Sequence, residues 1–183
     1  MNEFDDLYAS AAALELREQI AFGCRVLHRL GVQPSHISAR LPDTPYVVVK
    51  TRGGGGAGVT RDQVCLVDLD GRALAGGGEP PLELPLHLEI YRRRHDVTSV
   101  GHTHQPAATA LLGSANSGRT DIPTYPFPDQ IRTAEQGADL ARTLDRAAMV
   151  HMRDHGLAIT GTSIEDVVAQ AVELETWARN RSR

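Results

Sequence analysis

The chain has 183 residues, 41% of them hydrophobic, with 19 basic against 23 acidic side chains and a formal net charge of −4. That length supports one domain with a sizeable core, and the intermixed charges leave no continuous basic face for nucleic acid or anionic lipid, so a small polar metabolite is the expected partner. No run approaches the length of a membrane span or signal core, which predicts a cytoplasmic protein, and the isolated Cys24 and Cys65 read as buried thiols rather than a disulfide.

In chain order, Ile20, Cys24, Leu27 and Leu30 recur at helical spacing and predict an amphipathic helix from about Leu7 to Leu30, stopped by Gly31 and Pro34. SHISARL, PYVVVKT and VCLVDLDGRAL then read as strands, the last turning at Asp70 and Gly71. The segment GGGGAG at 53–58 lacks a following GK[ST] and reads as a mobile connection rather than an anion loop. Pro80 and Pro81 introduce a helix from about Leu82 to Arg94, with Leu84, Leu88 and Tyr91 as its apolar stripe. Glu83 and His87, four residues apart, share another face, so His87 either joins a site there or supports it. Spacing alone makes Glu83 an ordinary first-turn acid favoured by the helix dipole.

Further along come a short helix at Ala107 to Leu112, the Pro-rich connection TYPFPDQI, and a helix at Ala134 to Leu144. Two strands follow within MVHMRDHGLAITG. A last helix, with Ile164, Val167, Ala171, Leu174 and Ala178 as its stripe, is capped by Thr162 with Glu165 or Ser163 with Asp166. Strands early and late with helices between them predict a single α/β domain over 1–183, layered α/β/α.

Against that scaffold, His102 and His104 of VGHTHQP stand out. In a strand, residues i and i+2 leave by the same face, so both imidazoles point together while Thr103 points away. Two buried histidines side by side incur a desolvation penalty unless they share a partner. His155 of RDHG closes another apolar stretch, and three imidazoles plus a carboxylate or water make a normal coordination sphere for a divalent transition metal. His28, His87, His95 and His151 read first as surface or hydrogen-bonded residues.

The strings SHISAR, VDLDG, PPLELPLHLEIYRRRHDVTSVGHTHQPAATAL and RDHGLAITGTSIEDVVAQAVELE resemble the class II aldolase/adducin family over nearly the whole chain. The resemblance implies a mixed, largely antiparallel central sheet, and a divalent metal, zinc first with manganese, cobalt or iron as alternatives, held by His102, His104 and His155. It makes Glu83 the catalytic acid/base of a metal-dependent lyase that breaks a C–C bond through a metal-stabilised enediolate, its pKa raised if the site is dry. It also implies a cyclic homotetramer with sites at subunit contacts, with Tyr125 in the place of a tyrosine often supplied by a neighbour. Sugar-phosphate members hold phosphate with GNxS, TPSG-like and Ser-Ser segments. Here these are Ser35-His36-Ile37-Ser38, Thr51-Arg52-Gly53 and Pro81-Leu82, which argues against a phosphate substrate. His36, Ser38, Arg40 and Arg52 are the expected clamp for the carboxylate of a small hydroxy or keto acid, and the reaction expected is an aldolase or decarboxylase one. The rival readings are a non-haem iron oxygenase on the same histidines and a non-catalytic adducin-like interaction module.

Overall fold

The computed structural model describes residues 3–33, 35–114 and 118–181. The chain opens with α1 (Glu3–Tyr8) and α2 (Ala11–Arg29). The single helix expected from Leu7 is therefore split. Ser10 adopts an extended ψ of 155° and its hydroxyl accepts the Ala13 amide at 3.3 Å, which restarts the helix. Beyond Arg29 the chain turns at Gly31, whose amide donates to the His28 carbonyl, while the stop signal read at Pro34 lies outside the described residues.

Four strands follow: β1 (Ser35–Arg40), β2 (Val47–Lys50), β3 (Val64–Val67) and β4 (Ala73–Ala75). The third strand read from sequence is thus a β3–β4 hairpin, turning where Asp70-Gly71 predicts it. Next come α3 (Leu84–Arg93), β5 (Ser99–Thr103), α4 (Pro106–Leu112), β6 (Thr124–Tyr125), α5 (Ala134–Leu144), β7 (Met149–Met152), β8 (Gly156–Gly161) and α6 (Ile164–Arg181). The strands form one eight-stranded sheet in the order β4-β3-β2-β1-β5-β8-β7-β6. Every neighbouring pair is antiparallel except β6–β7, so the sheet is mixed and largely antiparallel.

Alternation along the strands divides the core in two. Ile37, Val48, Leu66, Leu157 and Ile159 face α2, α4 and α6, while Val49, Val67, Val100, Val150 and Ala158 face α3 and α5. The result is an α/β/α fold, a mixed, largely antiparallel sheet with helices on both faces. No helix among the described residues is long and apolar enough to cross a membrane. Because β1 and β5 lie at the middle of the sheet, a side chain at their ends on the α3 face is walled in by neighbouring strands and by the start of α3. That is where the polar cluster forms.

Candidate metal centre

On β5 the register sets Val100 and His102 on the α3 face, with Gly101 and Thr103 on the other. The Thr103 hydroxyl donates to Gln105 Oε1 at 2.7 Å, and Gln105 Nε2 reaches the Ala171 carbonyl on α6 at 3.4 Å, which ties down the strand end between the two histidines. His155 sits in the three-residue turn between β7 and β8, beside Asp154 in a left-handed conformation (φ 55°). The glycine of the RDHG string has a steric reason. A Cβ on Gly156 would stand 2.6 Å from the Thr103 carbonyl oxygen and 3.2 Å from His104 Cδ2, so only glycine lets β8 begin this close to the histidine strand.

Glu83 lies one residue ahead of α3, at its N-cap position, without capping it. Its carboxylate turns inward instead. Oε1 accepts the Ile131 amide at 3.0 Å, Oε2 is 3.1 Å from His102 Nε2, and His155 Nε2 is 3.7 Å from Oε1. One donor atom from each of Glu83, His102, His104 and His155 lies within 4.8 Å of the others. The structure therefore brings together all three predicted histidine ligands and the predicted glutamate. Burial raises the Glu83 carboxyl, while positive charge held between it and His102 Nε2 and near His155, together with the Ile131 amide, outweighs burial and keeps the group below the usual carboxylate range. The expected upward shift is thus reversed, and Glu83 is a carboxylate at neutral pH.

A local feature fits this set to a divalent cation. His102 Nδ1 is 3.0 Å from the Leu157 carbonyl, which can only accept, so the ring proton sits on Nδ1. Nε2 is then a fully buried lone pair, without an aligned hydrogen bond, facing a carboxylate oxygen. Two electron-rich atoms are stable at that separation only with positive charge between them. A carbonyl on Nδ1 is also the outer partner that orients metal-binding imidazoles.

The cluster opens into a cleft of about 310 Å³, whose lining includes His36, Lys50, Arg52, Leu82, Glu83 and His104. The glycine segment 53–58, expected to be a mobile connection, forms part of this wall. Lys50 Nζ donates to the Thr51 and Gly53 carbonyls at 2.7 and 2.6 Å, and Gln63 Nε2 donates to the Gly54 carbonyl at 3.3 Å. Lys50 was not singled out in the sequence. Its signal is a charged residue closing the apolar run VVVK, and it is only 4% exposed. Arg52 lines the cleft and pairs with Glu79.

Two members of the expected clamp lie elsewhere. Ser38 is fully buried under α3, bonded to His87 and Tyr91, and cannot touch a substrate. Arg40, four residues along β1 from His36, spends its guanidinium on the Val97 and Tyr91 carbonyls at 2.9 and 2.5 Å and stacks on the Tyr91 ring. The reason is shared: β1 runs beneath α3, so beyond His36 its α3-facing side chains meet helix rather than cleft. His87 is likewise fully buried, between His36 and Ser38, in a supporting place. The Tyr125 ring packs in the α3–α5 core, edge-on to Phe127.

Known proteins match this chain in sequence and in fold. The family described as class II aldolase and adducin N-terminal domain matches residues 18–181. A 3,4-dihydroxyphthalate decarboxylase from Arthrobacter keyseri is 32% identical, over 88% of this chain and 75% of that protein. A methylthioribulose-1-phosphate dehydratase from Gluconacetobacter diazotrophicus is 40% identical over a shorter stretch, 52% of this chain and 47% of that one. Among solved structures, an aldolase II superfamily protein from Pseudomonas syringae superposes with a TM-score of 0.82 at 22% identity, covering 95% of this chain and 76% of that one. The matched segment carries the glutamate, the paired histidines and the HG turn, and the chain belongs to the class II aldolase/adducin family.

Proposed function

We propose that this chain is a divalent-metal-dependent decarboxylase of a small hydroxylated carboxylic acid, an aromatic one in particular, with zinc as the ion. The observation that carries the reading is the Glu83–His102–His104–His155 cluster, its Glu83 and His102 buried, at the floor of a cleft, with His102 Nε2 directed at a carboxylate. In this reading His102, His104 and His155 hold the ion. The ion, when bound, supplies a Lewis acid that stabilises negative charge on substrate oxygens.

The chain's own residues do the rest. Glu83, anchored by the Ile131 amide, takes the proton of a substrate hydroxyl. The C–C bond to the carboxylate breaks, CO₂ leaves, the electron pair stays on the ring carbon, and Glu83 returns its proton to that carbon. Solvent restores the hydroxyl proton. His36, Lys50 and Arg52 bind anionic oxygens, while Pro81, Leu82 and Val59 supply an apolar wall for a flat ring. Support for an aromatic acid comes from that wall and from the decarboxylase relatives at 32% and 29% identity. Family resemblance also supports a homotetramer.

The test is a substrate panel offered to the zinc-loaded protein: ortho-hydroxylated aromatic carboxylic acids, aliphatic hydroxy and keto acids, and ketose 1-phosphates. CO₂ release from the aromatic acids is expected. Aldehyde release or dehydration from the sugar phosphates alone would replace this reading with an aldolase or dehydratase one.

A further inference from the structure

We infer that Tyr91, Ser38 and His87 form a buried positioning chain that keeps the proton of His36 on Nε2, making His36 a neutral hydrogen-bond donor to an anionic oxygen of the substrate and keeping it out of the metal's coordination sphere. The inference rests on the decarboxylase reading for the substrate, but not for the geometry.

The polarity turns on where the single serine proton goes. Ser38 Oγ has three neighbours: His87 Nδ1 at 2.7 Å, the Tyr91 hydroxyl at 2.9 Å and the Val100 carbonyl at 3.5 Å. Tyr91 is fully buried and its hydroxyl meets Ser38 Oγ, so Tyr91 donates there and occupies one serine lone pair. The single serine proton then goes to His87 Nδ1 or to Val100. His87 Nδ1 at 2.7 Å is the better acceptor for that proton and Val100 at 3.5 Å lies at the limit, so the serine proton is assigned to His87. The reverse, His87 Nδ1–H donating to Oγ with the serine proton turned to Val100, gives the opposite His36 tautomer, which tautomer assignment distinguishes. With Nδ1 accepting, neutral His87 carries its proton on Nε2, which is 2.8 Å from His36 Nδ1 and donates to it. His36 is left with its own proton on Nε2. The three bonds point the same way and polarise one another, which strengthens the terminal N–H.

The consequence appears on comparing His36 with His102, its direct partner across the β1–β5 ladder, with ring centroids 5.1 Å apart. His102 is tethered through Nδ1–H to a carbonyl and presents a bare Nε2, as a ligand must. His36 is tethered the opposite way. Its Nδ1 accepts, so its Nε2 presents a proton, which a cation repels and a carboxylate or phenolate oxygen accepts. Two adjacent imidazoles thus acquire different roles from the atoms behind them. Arg40, stacked 4.7 Å from the Tyr91 ring centre and bonded to the Tyr91 carbonyl, holds the far end of the chain in place.

The experiment is histidine tautomer assignment by long-range ¹⁵N–¹H correlation on the zinc-loaded protein. Wild type is expected to show His36 protonated on Nε2 and His102 on Nδ1. Ser38→Ala should move the His36 proton to Nδ1 or split it between both nitrogens, and Ser38→Thr, which keeps the hydroxyl, should restore it. With a substrate from the panel, Ser38→Ala should raise KM about ten- to a hundredfold with a much smaller change in kcat, and Ser38→Thr should rescue KM. Wild-type His36 protonated on Nδ1, or an unchanged tautomer in Ser38→Ala, would overturn the inference, and the wild-type spectrum decides even if a variant fails to fold. Tautomers as expected without CO₂ release from any acid would instead remove the decarboxylase reading while leaving the positioning chain standing.

Discussion

Glu83 occupies a place where two pulls compete. A carboxyl group this buried resists ionisation, yet positive charge shared with His102 and His155 and the Ile131 amide keep it ionised. A carboxylate in the resting site accepts the substrate proton before it returns one, which sets the order of the proposed steps. Glu83→Gln keeps the shape and the Ile131 contact but cannot take a proton, so steady-state turnover should fall by about 10² to 10⁴ while bound metal is retained. Turnover within a few-fold of wild type would remove Glu83 from the chemistry. Gly156→Ala acts through geometry alone. Its methyl group would press on the Thr103 carbonyl and the His104 ring, so metal affinity measured against a competing chelator should weaken about 10- to 100-fold, as when an outer support of a metal site is lost. Unchanged affinity would mean that β5 and β8 have slack the close contact does not suggest.

At the scale of elements, one buried acid joins two helices. Glu175 of α6 is 3% exposed, and its carboxylate accepts the Ala107 and Ala108 amides at the start of α4 and the Arg179 guanidinium beside it. α4 has no side-chain cap of its own, so Glu175 supplies it from across the layer. Replacing it by leucine strands two amides and should destabilise the fold by about 2–3 kcal/mol, a drop of roughly 5–10 °C in Tm for a chain of this size. A Tm within 1–2 °C of wild type would show that water takes over the amides.

Elements that announce their ends locally were readable from sequence. α5 spans the predicted Ala134–Leu144 because Thr133 and Gln136 form a capping box, and α6 is held by Ser163 accepting the Asp166 amide. The paired histidines were readable because strand period alone puts them together. What failed depended on tertiary cover. The same period sets Ser38 and Arg40 on the face of His36, and nothing in β1 says that α3 roofs the strand two residues later. The break at Ser10 was hidden by apolar spacing that continues through it, and β6, two residues long, exists only because β7 lies beside it. Lys50 looked like the polar end of a strand, and its place in the cleft comes from a loop that folds back over it.

Across the whole molecule, buried imidazoles set the acid limit of stability. Burial holds His36, His87, His151 and His155 below the ordinary histidine value, His87 down to about 3. An unfolded chain binds these protons as pH falls through about 6.5 and the folded chain does not, so stability is present above that value and lost progressively below it. For His87 alone the loss amounts to about 2 kcal/mol by pH 5. Urea unfolding of metal-free protein at pH 7.5 and 5.0 should show that decline, and His87→Gln should narrow the gap between the two conditions. An equal gap in both proteins would mean that His87 is protonated in the fold.

The proposed chemistry requires one cation shared by three imidazoles beside a carboxylate. Elemental analysis of the protein purified from metal-supplemented medium without chelators tests it most directly, alongside His102→Ala and His155→Ala variants whose circular dichroism matches wild type. About one divalent ion per wild-type chain, and less than a tenth of that in either variant, is the expected result. Wild-type protein that holds no ion, or variants that hold as much as wild type, would contradict it.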